Sequence, residues 1–351
     1  MSEYETKKKK NQYKIIIIGA GISGLSSGVH LLQNNISDFL ILEARNRIGG
    51  RIISIDMGGK KVELGANWIH GILGNPVFEL AMQNGLVNVV NIPKQHKIVA
   101  ATEDGKQIPF VMLQEIYEAY CCFLRRCEEY FVSDYLPPVG ISSVGEHINL
   151  EIELYLKNVS DTKEKSLKRQ IFDCLLKRET CITGCHTMNE IDLLELGSYT
   201  ELQGGNIVLP SGYSSILTPL VNMLTEDKIV KNCPVKSIHW RRKQTPKKCI
   251  FTTWRNQPFS RGSYTSIAVG ASQDDIESIA QPLYSSPHQQ KPSVLFAGEH
   301  THSNFYSTAH GAYLSGRTAA QIIYEPDTPQ EICIETDSSD LSSWLAGIAL
   351  D

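Results

Sequence analysis

The sequence predicts an α/β fold: a βαβ unit opens a parallel sheet, and a mainly helical domain is inserted before strand-like segments return. Three observations carry this expectation. A continuous apolar run at residues 13–18 leads straight into Gly19-Ala-Gly21-Ile-Ser-Gly24, and a second apolar run at residues 39–42 ends in Glu43. Between residues 76 and 196 the chain is poor in glycine and rich in Leu, Glu, Lys and Arg at helical spacing.

Composition bounds the rest. With 351 residues the chain exceeds the roughly 100–200 of a single domain, which allows two. Hydrophobic residues make up 42% and charged residues 21%, with a mean hydropathy of −0.18, which excludes wholesale disorder and a polytopic membrane protein. Lys and Arg total 34 against 38 for Asp and Glu, so no basic excess points to nucleic acid as a partner. The basic run at Lys7 to Lys10 reads as a solvated tail, with a nuclear-localisation signal as the alternative. Nine cysteines at 121, 122, 127, 174, 181, 185, 233, 249 and 333 form no CxxC pair. The expectation is therefore reduced thiols and no metal site. No apolar run reaches the ~18 residues needed to span a bilayer, so no membrane partner is expected and the reading is intracellular.

Taken in order, residues 13–18 are β-branched and end in glycine, the pattern of a parallel strand buried on both faces. Ile22, Leu25, Val29 and Leu32 then recur at helical spacing until Asn34-Asn35. Residues 39–42 read as the second buried strand. Residues 111–131 and 148–177 have helical periodicity, punctuated by a loop at Pro137-Pro138 and Gly140. Strand-like segments return at 204–210, 235–240, 266–270 and 294–298, and a helix is expected at 309–324. Beyond residue 325 the chain is polar and acidic and is expected to be disordered.

The glycine motif carries chemistry because of its context. Gly19 allows a tight turn, Gly21 lets backbone approach a pyrophosphate, and Gly24 permits close helix packing; the helix N-terminus offers a partial positive charge. Glu43 follows Gly24 by the ~20 residues that place an acid on adenosine ribose hydroxyls. An acid there disfavours a 2′-phosphate, leaving FAD or NAD. Arg45, Arg47 and the Gly49-Gly50-Arg51 turn follow, and Arg51 can fork onto a diphosphate.

Together with Glu63-Leu-Gly65-Ala66-Asn67-Trp68-Ile-His70-Gly71, Gly74-Asn-Pro76, Trp254, Arg261-Gly-Ser263-Tyr264, Phe296-Ala-Gly298-Glu299 and Phe305-Tyr-Ser-Thr308-Ala-His310-Gly311, these motifs resemble the flavin amine oxidase superfamily over residues 13–324. His70 in Asn67-Trp68-Ile-His70-Gly71 and the Gly197-Ser-Tyr-Thr-Glu201 stretch resemble its polyamine oxidase branch. The resemblance implies a discontinuous Rossmann-type FAD-binding domain with parts at 13–75 and 201–240, a truncated, mainly helical substrate domain at 76–200, a C-terminal part at 254–324 shared between the FAD-binding and substrate domains, and tails at 1–12 and 325–351. It implies noncovalent FAD, since Ser263 stands where monoamine oxidases carry their flavin-linking cysteine. Cofactor contacts are expected from Gly19, Gly21, Gly24, Glu43, Arg45 and Arg51, from Gly65, Ala66, Asn67 and Trp68, and from Val235, Trp254, Glu299 and Thr308. His70, Tyr264 and Thr308 are the substrate-pocket candidates, with Trp254 a second pocket aromatic.

The implied reaction is oxidation of a polyamine's secondary amine to an imine, with O2 reduced to H2O2. Relatives acting on free spermine carry an acid at the position of Ile182, so an apolar residue there points to N1-acetylated polyamines. One departure from the pattern stands out. The chain runs from 235–240 through a junction at 241–253, without the long stretch in which the family carries its active-site lysine; Lys243, Lys247 and Lys248 lie in no matching context. Severely impaired turnover is expected from that loss, even with FAD bound. Two readings stay open at this point, an amine oxidase and a silent FAD-binding remnant or splice form with a structural or regulatory role. The final Ala-Leu-Asp351 is not a Ser-Lys-Leu signal, so the expected compartment is the cytoplasm, with the peroxisome as alternative.

Overall fold

Gly19 follows the first strand at φ +102° and turns the chain directly into a helix, which sets the architecture of the N-terminal unit. The computed structural model describes residues 12–87, 99–133, 135–237, 263–286 and 291–324. The basic run at Lys7 to Lys10, the 241–253 junction, Trp254 and the acidic tail from 325 lie outside the described residues.

Strands β1 (Ile15–Ile18) and β2 (Phe39–Leu42) pair in parallel, Ile15 opposite Phe39 through Ile18 opposite Leu42. Helix α1 (Ile22–Gln33) makes the crossover and stops at Asn34. Its Leu25, Val29 and Leu31 are buried with Phe39 and Ile41 in the core. The hairpin β3 (Ser54–Met57) and β4 (Lys60–Glu63) turns through Gly58-Gly59, both at positive φ. Next come β5 (Ile69–His70) and α2 (Pro76–Gln83), the latter started by Asn75 as N-cap and Pro76 in its first turn.

The helical region holds α3 (Phe110–Val132), α4 (Val144–Leu156) and α5 (Thr162–Thr183). Their apolar faces meet in a separate core around Ile116, Tyr120, Phe123, Ile148, Ile152 and Phe172. The chain then returns: β6 (Asn206–Ile207) pairs antiparallel with β5, α6 (Leu217–Met223) packs on α1, and β7 (Ile229–Val230) adds to β2, giving the order β1–β2–β7. Helix α7 (Gln273–Ala280) and helix α8 (Ala309–Tyr324) complete the fold. Helix α8 lies hard against α1, where Ser26 and Ser27 hydroxyls donate to the carbonyls of Tyr313 and Gly316. A Cβ on Gly316 would fall 2.1 Å from the Ser23 carbonyl oxygen, so the approach requires glycine there.

Six expectations change. The first strand is not buried on both faces: Ile16 is 44% and Ile18 52% exposed, because that face of the strand lines the open cavity and nothing among the described residues packs over it. The 148–177 helical stretch is two helices, broken where Asp161 caps α5 by accepting from the Glu164 N–H. Residues 294–298 form no strand; a single bridge joins Val294 to Leu283, with no parallel neighbour among the described residues to extend it. Likewise 266–270 makes only the Ile191–Ala268 bridge, the strand within 204–210 shrinks to Asn206–Ile207, and 235–237 is irregular, with 238–240 outside the described residues.

Candidate functional site

A cavity of about 2540 Å³ runs from the glycine turn to the helical region. At one end the backbone is bare: nothing lies within 4 Å of where a Cβ would sit on Gly19 or Gly21. No side chain caps α1 and no acid stands in its first turn, so its first amides are left for an anion. Gly24 does the packing, because a Cβ there would meet the Gly19 carbonyl oxygen at 2.0 Å. Glu43 is 4% exposed, and its carboxylate accepts from the Ala20 and Arg45 N–H groups at 2.8 and 2.9 Å while lining the cavity. That places an acceptor for ribose hydroxyls beside an anion cradle, which is the donor and acceptor set a dinucleotide such as FAD requires.

The Gly49-Gly50-Arg51 turn leans on the glycine loop through the Gly49 N–H, which donates to the Ala20 carbonyl at 2.8 Å. Arg51 thereby reaches Glu299 at 2.6 Å and donates to the Ser263 carbonyl at 3.2 Å. Glu299 is a hub. It is 6% exposed, and it also accepts from the N–H of Ser307 at 2.7 Å, the N–H of Thr265 at 3.3 Å and the Thr265 hydroxyl at 3.1 Å. Burial alone would raise its carboxyl; the Arg51 charge and these bonds overcome it and hold the group below its usual range. Ser307 sits at φ +71°, a conformation costly to any side chain, with its N–H on Glu299 and its hydroxyl on the Thr265 carbonyl.

The other expected cofactor residues spread along the same wall. Arg45, Ala66, Asn67, Trp68 and Val235 line the cavity. Gly65 serves the backbone, since a Cβ there would fall 1.9 Å from the Arg51 carbonyl oxygen. Thr308 also borders the cavity, but its hydroxyl is engaged: it accepts from the Gly311 N–H at 2.9 Å and donates to the Phe305 carbonyl at 2.7 Å, capping α8. Trp254 lies outside the described residues.

The far end holds the substrate candidates. His70 is exposed to the cavity, with its Nδ1 3.1 Å from Asn206 Oδ1 across the β5–β6 ladder. With that amide oxygen accepting, Nδ1 carries the proton and Nε2 keeps a lone pair for a ligand N–H. Tyr264 donates its hydroxyl to the Cys181 carbonyl at 2.8 Å and lays its ring on Gly184, the left-handed C-cap of α5 at φ +72°. Burial, then the nearby thiols, push the Tyr264 phenol up, so it stays neutral. This clasp holds the end of α5 at the cavity, where Ile182 is 59% exposed. Ile182 is therefore a wall residue and not part of the core.

Sequence reading missed Asn206 and two of three acids on this wall, Glu128 and Glu179; the third, Glu201, belongs to the Gly197-Ser-Tyr-Thr-Glu201 stretch but was given no role there. Burial and then Glu201 push the Glu128 carboxyl up; burial pushes up Glu179, with Arg178 opposing and Glu128 adding. Carboxylates crowded in this way favour a cation among them. Nothing in the sequence marks Glu128 and Glu179, because α3 and α5 each read as ordinary helices with a charged face. Among the described residues no group of His, Cys, Asp and Glu could hold a metal ion. In the buried Cys127–His147 pair, 3.5 Å apart, burial pushes the thiol up to about 12.

Comparison with known proteins agrees with this geometry. The family model for flavin-containing amine oxidoreductases matches residues 22–245 and 241–324, two pieces that meet inside the 241–253 junction. The peroxisomal N(1)-acetyl-spermine/spermidine oxidase of Bos taurus is 23% identical over 86% of this chain and 93% of its own length. The Homo sapiens protein of the same name is 22% identical over 90% and 96%. A probable polyamine oxidase 5 of Arabidopsis thaliana is 26% identical over 65% of this chain and 49% of its own. The bovine alignment spans 479 positions, more than the 351 residues of this chain, so parts of that relative have no counterpart here. The chain belongs to the flavin-containing amine oxidoreductase family, polyamine oxidase type, and its cofactor is FAD.

Proposed function

We propose that the protein oxidises the secondary amine of an N1-acetylated polyamine to an imine, which water hydrolyses, with O2 taking the electrons to give H2O2. The observation that carries the substrate choice is the cavity wall itself: an uncharged Ile182 shares it with His70 and with Glu128, Glu179 and Glu201. An acetamide can lie against Ile182 without stranding a charge, which in a dry site costs several kcal/mol. The ammonium groups that an acetylated polyamine still carries have the three carboxylates to meet.

FAD, when bound, supplies the redox chemistry by accepting the electrons of the carbon–nitrogen bond being oxidised. The protein holds the reactants. Gly19, Gly21 and the α1 amides receive phosphate, Glu43 receives ribose, and the Arg51–Glu299 pair fixes the wall beside them. His70, through the Nε2 lone pair that Asn206 leaves it, accepts from a substrate N–H and orients the amine. The flavin is held noncovalently, since Ser263 offers a hydroxyl and no thiol. Family membership favours this enzyme reading over a silent remnant. Among the described residues no helix is long and apolar enough to cross a membrane. The bovine and human relatives are named as peroxisomal, which supports the peroxisome over the cytoplasm. The test is kcat/KM for N1-acetylspermine against spermine: a clear preference for the acetylated amine is expected, and a preference for free spermine would overturn the substrate assignment.

A further inference from the structure

Two motifs that the cofactor and substrate contacts leave unused, Gly74-Asn75-Pro76 and the His310-Gly311 start of α8, meet behind His70. Asn75 is fully buried. Its Oδ1 caps α2, accepting from the Val77 and Phe78 N–H groups at 3.0 and 3.3 Å. Its Nδ2 gives one hydrogen to the His70 carbonyl and one to the Gly71 carbonyl, each at 3.0 Å. The amide is thus fully used. His310, 3% exposed and in the first turn of α8, brings Nδ1 to 3.5 Å from the same Nδ2. An amide nitrogen donates and cannot accept, so His310 Nδ1 faces Asn75 Nδ2 as a lone pair, and its Nε2 has no partner among the described residues.

The geometry assigns Asn75 as the positioning residue for His70: one side chain ties the backbone of residues 70 and 71 to the cap of α2 and to the foot of α8, whose first turn borders the same cavity. The reasoning is steric and local. Strand β5 is two residues long; its other side is held by β6, through pairs that include His70 with Asn206, and by the Gly71 N–H on the Gly205 carbonyl at 2.9 Å. A two-residue ladder does not by itself fix a side chain to within the fraction of an ångström that orientation demands. With the two carbonyl anchors gone, residues 70 and 71 are held on their β6 side alone, so the strand can tilt and the His70–Asn206 contact that sets the imidazole tautomer is disturbed. Gly71, at φ +71° with a Cβ position 2.1 Å from the Leu202 carbonyl oxygen, leaves the chain no room to compensate on its far side.

This assignment rests on the proposed role of His70, and two measurements separate them. N75D keeps the cap oxygen and loses both donors; N75S caps α2 through its hydroxyl without burying a charge and cannot span to residues 70 and 71. Nitrogen-15 NMR of the histidine rings, read without substrate, is expected to show His70 protonated at Nδ1 in the parent chain and that signature lost in both variants. Amine-dependent kcat/KM is expected to fall ~10- to 100-fold, with FAD occupancy retained, and no further loss is expected when N75S is added to H70A. An unchanged His70 tautomer in folded N75S, or losses from N75S and H70A that multiply, would overturn the assignment. Should H70A itself leave kcat/KM intact, the proposed role of His70 fails, while the tautomer measurement still decides the positioning claim.

Discussion

Replacing Glu299 by glutamine changes one charge and almost no volume, so its effect isolates the hub that joins Arg51 to the start of α8. Four donors converge on this carboxylate, from Arg51, Ser307 and both the N–H and hydroxyl of Thr265. A glutamine in either orientation turns an NH2 group toward at least one of them. A buried donor left without an acceptor costs about 1–3 kcal/mol. Breaking a buried ion pair costs about 3–5 kcal/mol, but the Arg51 side chain is 32% exposed and solvent screening reduces that contribution to about 1 kcal/mol. The sum, about 2–4 kcal/mol, is a sizeable part of the 5–15 kcal/mol by which domains are stable. At ~2–4 °C per kcal/mol it lowers Tm by on the order of 5–10 °C. Scanning calorimetry of the FAD-loaded E299Q protein measures this directly, and flavin release on gel filtration reports the cofactor wall. A Tm within about 1 °C of the parent with full FAD retention would refute the reasoning, since it would mean the four bonds are redundant.

Three further outcomes are expected. G24A drives a Cβ into the Gly19 carbonyl oxygen at 2.0 Å, so α1 must move away from β1 and the purified protein is expected to be colourless; a yellow G24A protein would contradict the anion cradle. Burial pulls His302 and His310 down to about 4 and about 3, so both are neutral when folded, whereas the unfolded chain protonates them below about 6.5. The folded state therefore binds fewer protons there, and Tm is expected to begin falling below pH ~6.5, before the carboxylates titrate; a Tm flat down to pH ~5 would contradict it. I182E adds a carboxylate to the exposed wall position and is expected to improve kcat/KM for free spermine relative to N1-acetylspermine by ~10-fold, on the scale of a charged pair in a partly dry site; an unchanged ratio would place the selectivity elsewhere.

The βαβ unit was legible because its constraints are local: a strand, a turn that only glycine satisfies, and a helix close enough to demand Gly24. Glu43 was legible for the same reason, as spacing alone puts it at the strand end. The Arg51–Glu299 pair was not, because its members stand 248 residues apart and nothing in either neighbourhood announces the other. Asn206 escaped notice because its meaning comes from pairing opposite His70 in a two-residue ladder. The acids of α3 and α5 read as solvated faces until packing turned them toward the cavity. The exposed Ile16 and Ile18 reverse the usual failure. An apolar run predicts burial on both faces when both are covered, and here one face of β1 lines the cavity.

The central claim is that this chain assembles an amine-oxidising FAD site. Anaerobic mixing of the FAD-loaded protein with N1-acetylspermine, followed by absorbance, tests it most directly. The oxidised-flavin band is expected to bleach in proportion to amine, to return when oxygen is admitted, and to bleach more slowly in H70A. A stoichiometrically loaded flavin whose spectrum stays oxidised at saturating amine would contradict the account.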